Sequence, residues 1–130
     1  MLKTKAIKAP IEDNDGLRIS VMSRHTLNDG ITLDPEITQN LFDDWWPQLG
    51  PSLRLIGSYY KRGLPWEDFE KEYLESLRQD KQLFLQRLIS LSENRNVTIL
   101  CIEVNPDKCH RRLIAEECAR LSRQIKIQIS

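Results

Sequence analysis

Hydrophobic and polar positions alternate along the chain with two different periods, and these periods predict a mixture of strands and helices. Residues 2–8 and 17–23 alternate at every second position, which is typical of strands. Residues 66–78 and 110–121 repeat apolar side chains every three or four positions, as one face of a helix does. The segment 97–103 is almost wholly apolar and rich in β-branched residues, so it predicts a strand buried on both faces.

The other segments carry weaker patterns. Lysines alternate with apolar residues in the first strand, which favours a position at the edge of a sheet. Asp34 can cap a helix and Pro35 fits its first turn, so a short helix is expected there. The short helix is predicted over residues 34–46, and residues 53–60 fit either a strand or a helix. A second amphipathic helix is predicted over residues 82–93 and a last strand over residues 125–129.

The order of these elements predicts an α/β fold. The strand 97–103, the helix 110–121 and the strand 125–129 follow one another as a βαβ unit, which favours parallel strands with a helical crossover. We therefore expect a compact Rossmann-like three-layer domain, with a mostly parallel sheet and helices on its faces. The length of 130 residues fits one domain that spans residues 1–130.

Composition narrows the classes of partner. The 19 basic residues balance the 19 acidic ones, which argues against broad affinity for nucleic acid or membranes but leaves a local basic patch open. No apolar run reaches the length of about 18 residues that a transmembrane helix needs. The first residues lack the apolar core of a signal peptide, and three cysteines are an odd number. We expect a cytoplasmic protein with reduced thiols and no membrane partner.

Polar residues follow two of the predicted strands. In an open parallel sheet, ligands bind beyond the carboxyl ends of the strands. If the strands 17–23 and 97–103 are parallel neighbours, the residues after them share one edge, and both histidines of the chain lie in one place. The candidate site residues are Ser23, Arg24, His25, Cys101, Glu103, Cys109, His110 and Arg111.

The start of the helix 110–121 favours an anionic ligand, nucleotide-like or part of a nucleic acid. Free N–H groups and the positive end of the helix dipole attract anions there, and Asp107 is expected to cap the helix. Arginine side chains would hold the anion, and a thiol at a helix start has a lowered pKa. In this hypothesis Arg24 and Arg111 bind the ligand, while Cys101, Glu103, Cys109 and His110 are the catalytic candidates. His110 or Glu103 would act as acid or base.

Several alternatives stay open at this point. Cys101 fits a packed core thiol as well as a functional one, and Glu103 fits a solvated strand end. A metal site is the main competitor, because cysteine and histidine bind zinc and iron. Its candidate ligands are His25, Cys101, Cys109 and His110. The spacing gives it little support, because neighbouring residues of a helix point in different directions and the chain has no C-x-x-C pair.

Aromatic residues suggest two further possibilities. They can stack a nucleic-acid base, although packing is their commoner use. Exposed aromatic residues around Trp45 and Trp46 can also form the face of a homodimer, which would make the chain an interaction domain without enzymatic activity. The residues in question are Trp45, Trp46, Tyr59, Tyr60 and Trp66.

One stretch resembles a known family. The sequence L-C-I-E-V-N-P-D-K-C-H-R-R-L-I-A-E, which begins at Leu100, is similar to the C-x-E-x-x-P-x-x-C-H-R signature of DUF488, a bacterial and archaeal family. The stretch R-I-S-V-M-S-R-H-T-L-N-D-G, which begins at Arg18, resembles the first-strand motif of one of its subgroups. The segment 66–78 resembles the family's central helix, which follows a turn like the one from Tyr59 to Gly63.

The resemblance implies a compact α/β domain but no particular reaction, because the family has no established general activity. Many members carry an aspartate just after the first strand, in V-D-x-R or V-D-R form. Here the corresponding residues read V-M-S-R, so Met22 or Ser23 replaces the acid. A mechanism that needs a carboxylate at this place would have to use Glu103.

Overall fold

The computed structural model describes residues 1–130 and shows an α/β fold, as predicted. Five strands form one sheet in the order β3-β2-β4-β1-β5, and every pair of neighbours is parallel. Four helices complete the fold. The strands are β1 (Leu2–Ala6), β2 (Leu17–Ser20), β3 (Asp44–Trp45), β4 (Val97–Cys101) and β5 (Ile127–Ile129), and the helices are α1 (Leu53–Arg62), α2 (Trp66–Asp80), α3 (Gln82–Asn94) and α4 (His110–Leu121).

One face of the sheet packs against the helices. Leu2, Ile19, Val97 and Ile99 point to this face, and they share one apolar cluster with the buried residues of all four helices. The helices predicted over residues 66–78 and 82–93 agree closely with α2 and α3, and the bounds 110–121 of α4 are confirmed. The ambiguous stretch 53–60 is helical because the hydroxyl of Ser52 accepts a hydrogen bond from the Leu55 N–H.

The opposite face of the sheet is covered by loops rather than by α-helices, and it carries buried charges beside a small apolar cluster that includes Leu100 of β4. Lys3 and Lys5 of β1 and Arg18 of β2 point to this side and surround the buried carboxylate of Asp15. Arg18 also donates a hydrogen bond from Nε to the carbonyl of Leu41, at 2.8 Å. The three layers are therefore helices, sheet, and a loop layer with short 3₁₀ turns.

The prediction that β1 lies at the edge of the sheet is wrong. β1 pairs with β4 on one side and with β5 on the other, so it is an interior strand. Its alternating lysines do not face solvent, since Lys3 and Lys5 are buried and Lys5 reaches the carboxylate of Asp15 at 3.1 Å. For the same reason β4 and β5 are parallel but not adjacent, and the crossover through α4 passes over β1.

The predicted helix over residues 34–46 is also wrong. The carboxylate of Asp34 accepts a hydrogen bond from the Glu36 N–H, as a capping residue would, and it also pairs with Lys8. However, only a 3₁₀ turn, Gln39–Leu41, follows. Residues 44–45 are instead extended and pair with β2 as a short strand. Trp46 is buried in the core, so it does not contribute to the exposed aromatic face that was expected.

The helices are too short or too polar to cross a lipid bilayer. The carboxyl ends of β2, β4 and β1 lie side by side, because β4 pairs with both of its neighbours in parallel. The expectation that the strands over 17–23 and 97–103 are parallel neighbours is therefore confirmed. The residues that follow β2 and β4 meet at this edge of the sheet.

Candidate functional site

Cys101, Cys109 and His110 form a buried cluster at the carboxyl end of β4. The two Sγ atoms and a ring nitrogen of His110 all lie within 4.8 Å of one another. Cys101 is the last residue of β4, whereas Cys109 and His110 follow a short 3₁₀ turn, Pro106–Lys108, at the start of α4. The fold thus brings together residues that are eight and nine positions apart in the sequence.

The backbone at Cys109 explains why neighbouring residues converge. Cys109 caps α4 and is extended, with φ −137° and ψ 139°, so it does not belong to the helix. Cys109 and His110 were expected to point in different directions as neighbours on one helix. This expectation is wrong, because only His110 is helical and both side chains reach the same cluster. The predicted cap, Asp107, lies instead inside the preceding 3₁₀ turn, where its N–H donates to the side chain of Asn105.

The ring of His110 has a fixed orientation. Its Nε2 lies 2.8 Å from the carbonyl oxygen of Val21, and a carbonyl only accepts hydrogen bonds, so Nε2 carries a proton. The other nitrogen, Nδ1, lies 3.6 Å from the Sγ of Cys101. In the neutral ring, Nδ1 is thus the free lone pair, and it faces the thiol. The end of β2 therefore orients the base of the cluster.

The two thiols of the cluster differ in acidity. The hydrogen bond from Cys101 lowers the pKa of Cys109 to about 3 against the effect of burial, with further help from His110 and Arg111. The shared hydrogen bond with Cys109, together with burial, raises the pKa of Cys101. The opposite directions of the two pKa shifts favour Cys109 over Cys101 as the thiolate. Thiolates are the nucleophilic form of cysteine.

Arg111 supports this thiolate from inside the protein. Its side chain is fully buried, and Nη1 donates to the Sγ of Cys109 at 3.2 Å and to the carbonyl of Glu103 at 2.6 Å. Its other nitrogens donate to the carbonyls of Val104 and Ser130. Arg111 was expected to bind a ligand directly. Its buried position instead allows it to hold the loop and the thiolate.

A cavity of about 550 Å³ opens onto the cluster. Cys101, Cys109 and His110 form part of its wall, and Glu103 lies beside them. Three other side chains on the wall are basic and form no hydrogen bond or ion pair within the protein. These are Arg24, Lys61 and Lys108.

Two predicted site residues have different surroundings. The hydroxyl of Ser23 lines the cavity but donates to the carbonyl of Pro51 at 2.5 Å, so it anchors a loop. His25 lies outside the thiol cluster, stacks on Trp45 at 4.3 Å and reaches the hydroxyl of Ser20 at 2.7 Å. Burial lowers the pKa of His25. The two histidines therefore attach to Ser20, the last residue of β2, and to Val21, the residue after it, without forming one site.

The contact between Tyr60 and Glu103 was not predicted from the sequence, which indicated Tyr60 only as an aromatic residue. It lies in the last turns of α1, and its hydroxyl donates to the carboxylate of Glu103 across the mouth of the cavity. Partial desolvation of its hydroxyl and the hydrogen bond to Glu103 raise the pKa of Tyr60. No local sequence pattern signals this contact, because Tyr60 and Glu103 are 43 positions apart in the chain.

The fold and the cluster define an α/β protein with a cysteine–histidine site at the carboxyl edge of a parallel sheet. The family model described as "Active DUF488-N3 subclade" matches residues 2–120, so the chain belongs to the DUF488 family, as the sequence resemblance implied. No curated protein and no solved structure matches the chain.

Proposed function

We propose that the cavity binds an anionic, nucleotide-like ligand and that Cys109 acts on this ligand as a nucleophile. The main support for this proposal is the position of Cys109. Its sulfur lies at the start of α4 and borders the same cavity as three unpaired basic side chains. Helix starts and basic side chains both attract anions.

The charge of the cavity supports this proposal. Four basic side chains line it, against the single carboxylate of Glu103, although the chain as a whole has no net charge. One of the four, Arg62, is held by the Arg54 carbonyl and the Ser58 hydroxyl. The remaining three are free to bind an anion, so the cavity is a local positive region.

Aromatic residues favour a nucleotide-like ligand over a bare anion. Tyr59, Tyr60, Trp66 and Phe69 line the cavity, and Tyr60 is 57% exposed. Tyr59 and Trp66 pack on each other and on the core. Tyr60 is therefore the side chain with a free surface on which a base can stack.

The cluster supplies the groups that nucleophilic catalysis needs. Cys109 is the thiolate, and Arg111 stabilises its charge from a buried position. Glu103 and His110 are the acid–base candidates, and Glu103 provides the carboxylate that the residues after β2 lack.

Protection from alkylation tests the proposal. In the reduced protein, iodoacetamide should modify Cys109 first, and adenosine monophosphate or inorganic phosphate should slow this reaction. Arg24→Ala should weaken the protection about tenfold or more, because a hydrogen bond to a charged group contributes about 1.5–3 kcal/mol. Arg111→Ala is a poor test, since it removes buried hydrogen bonds as well.

Arg123→Ala is the matched control, because Arg123 is exposed and lies outside the cavity. Protection by the nucleotide but not by phosphate would assign the base contact to the aromatic wall. A short single-stranded oligonucleotide that protects better than the mononucleotide would identify a nucleic acid as the ligand. The proposal fails if no anion protects Cys109, or if Arg24→Ala and Arg123→Ala are protected equally.

A metal-binding function is the second candidate, and the clustering favours it more than the sequence did. Cys101, Cys109 and His110 lie close enough to share one zinc or iron ion, and the bond from His110 to the Val21 carbonyl is typical of metal-binding histidines. The guanidinium of Arg111, 3.2 Å from the Cys109 sulfur, disfavours a further positive charge. Elemental analysis of the wild type and Cys101→Ser, purified without added metal, decides between the two.

A further inference from the structure

Cys101 and Cys109 face each other with different neighbours on each side. Their sulfurs lie within 4.8 Å, and a disulfide bond is about 2.0 Å long. The sulfurs must therefore approach by at most about 2.8 Å, the difference between these lengths. Cys101 is fixed in β4, whereas Cys109 ends a loop with a 3₁₀ turn, so the approach can come from the loop.

We propose that these two cysteines form a peroxide-reactive pair, in which Cys109 is oxidised by a small hydroperoxide and Cys101 then closes a disulfide with it. This inference uses the same Cys109 sulfur as the proposed function, but it does not depend on an anionic ligand. It adds a reversible modification that blocks the nucleophile. The cysteine–cysteine geometry and the neighbours of each sulfur carry the inference.

The neighbours assign a different role to each cysteine. Cys109 lies at the start of the 12-residue helix α4 and receives a hydrogen bond from Arg111, so its thiolate is stabilised for the first attack. Cys101 has Nδ1 of His110 at 3.6 Å, and this nitrogen accepts protons because Nε2 is committed to Val21. The proton of Cys101 can thus leave as its sulfur attacks.

The steps balance in atoms and electrons. The Cys109 thiolate attacks the terminal peroxide oxygen, the O–O bond breaks, and the released alkoxide or hydroxide takes a proton from water. The Cys101 sulfur then attacks the sulfur of the Cys109 sulfenic acid, the S–O bond breaks, and His110 passes the proton of Cys101 to the departing hydroxide. Two thiols and one hydroperoxide yield one disulfide, one alcohol or water, and one further water.

Access to the pair selects small oxidants. Cys101 and Cys109 are 4% and 2% exposed, and both border the cavity. A small hydroperoxide can enter a space of about 550 Å³, whereas the low exposure of both sulfurs disfavours attack by the thiol of another protein. Cys118 provides an internal control, because it is fully buried outside this cavity and burial raises its pKa to about 12.

Peptide mapping of the peroxide-treated full chain tests the inference. The protein, freed of metal by a chelator, is treated with one equivalent of hydrogen peroxide and quenched with an alkylating reagent. We expect a Cys101–Cys109 disulfide that dithiothreitol reverses, with Cys118 still reduced. Cys109→Ser should lose the disulfide, and Cys101→Ser should accumulate a sulfenic acid at Cys109 that dimedone traps.

Circular dichroism confirms that each variant is folded, and Cys101→Ala repeats the experiment if Cys101→Ser is not. Cys118→Ala should behave as the wild type. The inference is overturned if the wild type forms no disulfide, if Cys118 is oxidised as fast as Cys109, or if Cys101→Ser gives no sulfenic acid. If no anion protects Cys109 but the disulfide still forms, only the proposed function fails. If anions protect Cys109 but no disulfide forms, only this inference fails.

Discussion

The thiol cluster and the cluster around Asp15 are both buried and polar, but their surroundings differ. Asp15 accepts hydrogen bonds from Arg18 at 2.6 Å and from Lys5 at 3.1 Å, and Lys3 lies 4.0 Å away. Loops cover these charges, and the carboxylate is 1% exposed. The thiol cluster, by contrast, borders a cavity in which three of the four lysine and arginine side chains form no hydrogen bond or ion pair within the protein.

This difference separates a structural cluster from a candidate site. A buried charge needs partners, and around Asp15 the chain supplies nearly all of them itself. Only Nη2 of Arg18 has none. At the thiol cluster the chain supplies the partners for the sulfurs but leaves Arg24, Lys61 and Lys108 free at the cavity wall. Unpaired charge next to a cavity, rather than polarity alone, indicates binding.

The largest effect on stability is expected at Asp15. Asp15→Asn removes the carboxylate that Lys5 and Arg18 share. It leaves the buried Arg18 without a carboxylate partner and Lys5 with only the exposed Glu12. We expect the free energy of unfolding to fall by about 3–5 kcal/mol, as measured by urea denaturation. Asp13→Asn, in the same 3₁₀ turn but exposed and without hydrogen bonds, is the control. An equal, small loss in both variants would contradict this view of the cluster.

The same comparison predicts a dependence on pH. Burial opposes ionisation of Asp15, but hydrogen bonds from the Glu12 N–H, Lys5 and Arg18 outweigh it and lower its pKa below the ordinary value of 3.8. A lowered folded-state pKa gives stability that is complete above the unfolded pKa and is lost as the pH falls through the folded one. The stability difference between wild type and Asp15→Asn should therefore shrink below about pH 4. A constant difference down to pH 2 would count against the ion pairs.

The smallest effect is expected at the cavity. Tyr60→Phe removes only the hydroxyl that donates to Glu103, and Tyr60 is 57% exposed, so solvent replaces the lost bond. We expect a loss below about 1 kcal/mol in the free energy of unfolding. The matched variant is Tyr73→Phe, whose fully buried hydroxyl donates to the Leu49 carbonyl at 2.5 Å. It should cost about 1–3 kcal/mol, because it leaves a buried acceptor unpaired.

A larger loss for Tyr60→Phe than for Tyr73→Phe would show that the hydroxyl of Tyr60 holds the fold together. The contrast between an open site and a closed core would then fail at this residue. Thermal denaturation followed by circular dichroism measures both variants under the same conditions.

The elements with long, regular patterns were predictable from the sequence. The helix 110–121 has the predicted bounds, and residues 97–101 of the apolar run 97–103 form a central strand, because periodicity reflects which side chains a single element buries. Residues 34–46 were not predictable in this way. Their local capping signals favoured a helix, but pairing with β2 made residues 44–45 extended.

The candidate site was predictable in its place but not in its details. The sequence placed Cys101, Cys109 and His110 at one sheet edge, and they do meet there. It could not show that Arg111 turns inward, because its acceptors come from the loop before α4 and from the residue after β5. These acceptors are the sulfur of Cys109 and the carbonyls of Glu103, Val104 and Ser130. Nor could it separate His25 from the cluster, since its stacking on Trp45 depends on the position of β3.

The sequence by itself determined the α/β class, the family and the group of residues around Cys101 and Cys109, because periodicity and a local motif need only neighbouring residues. Only the tertiary structure decided which of these residues point into a shared cavity and which are buried as supports. The same is true of the lysines of β1, whose alternation looked like an exposed edge. Their burial depends on the carboxylate of Asp15, which lies in the turn before β2. The local pattern of β1 carries no information on this partner.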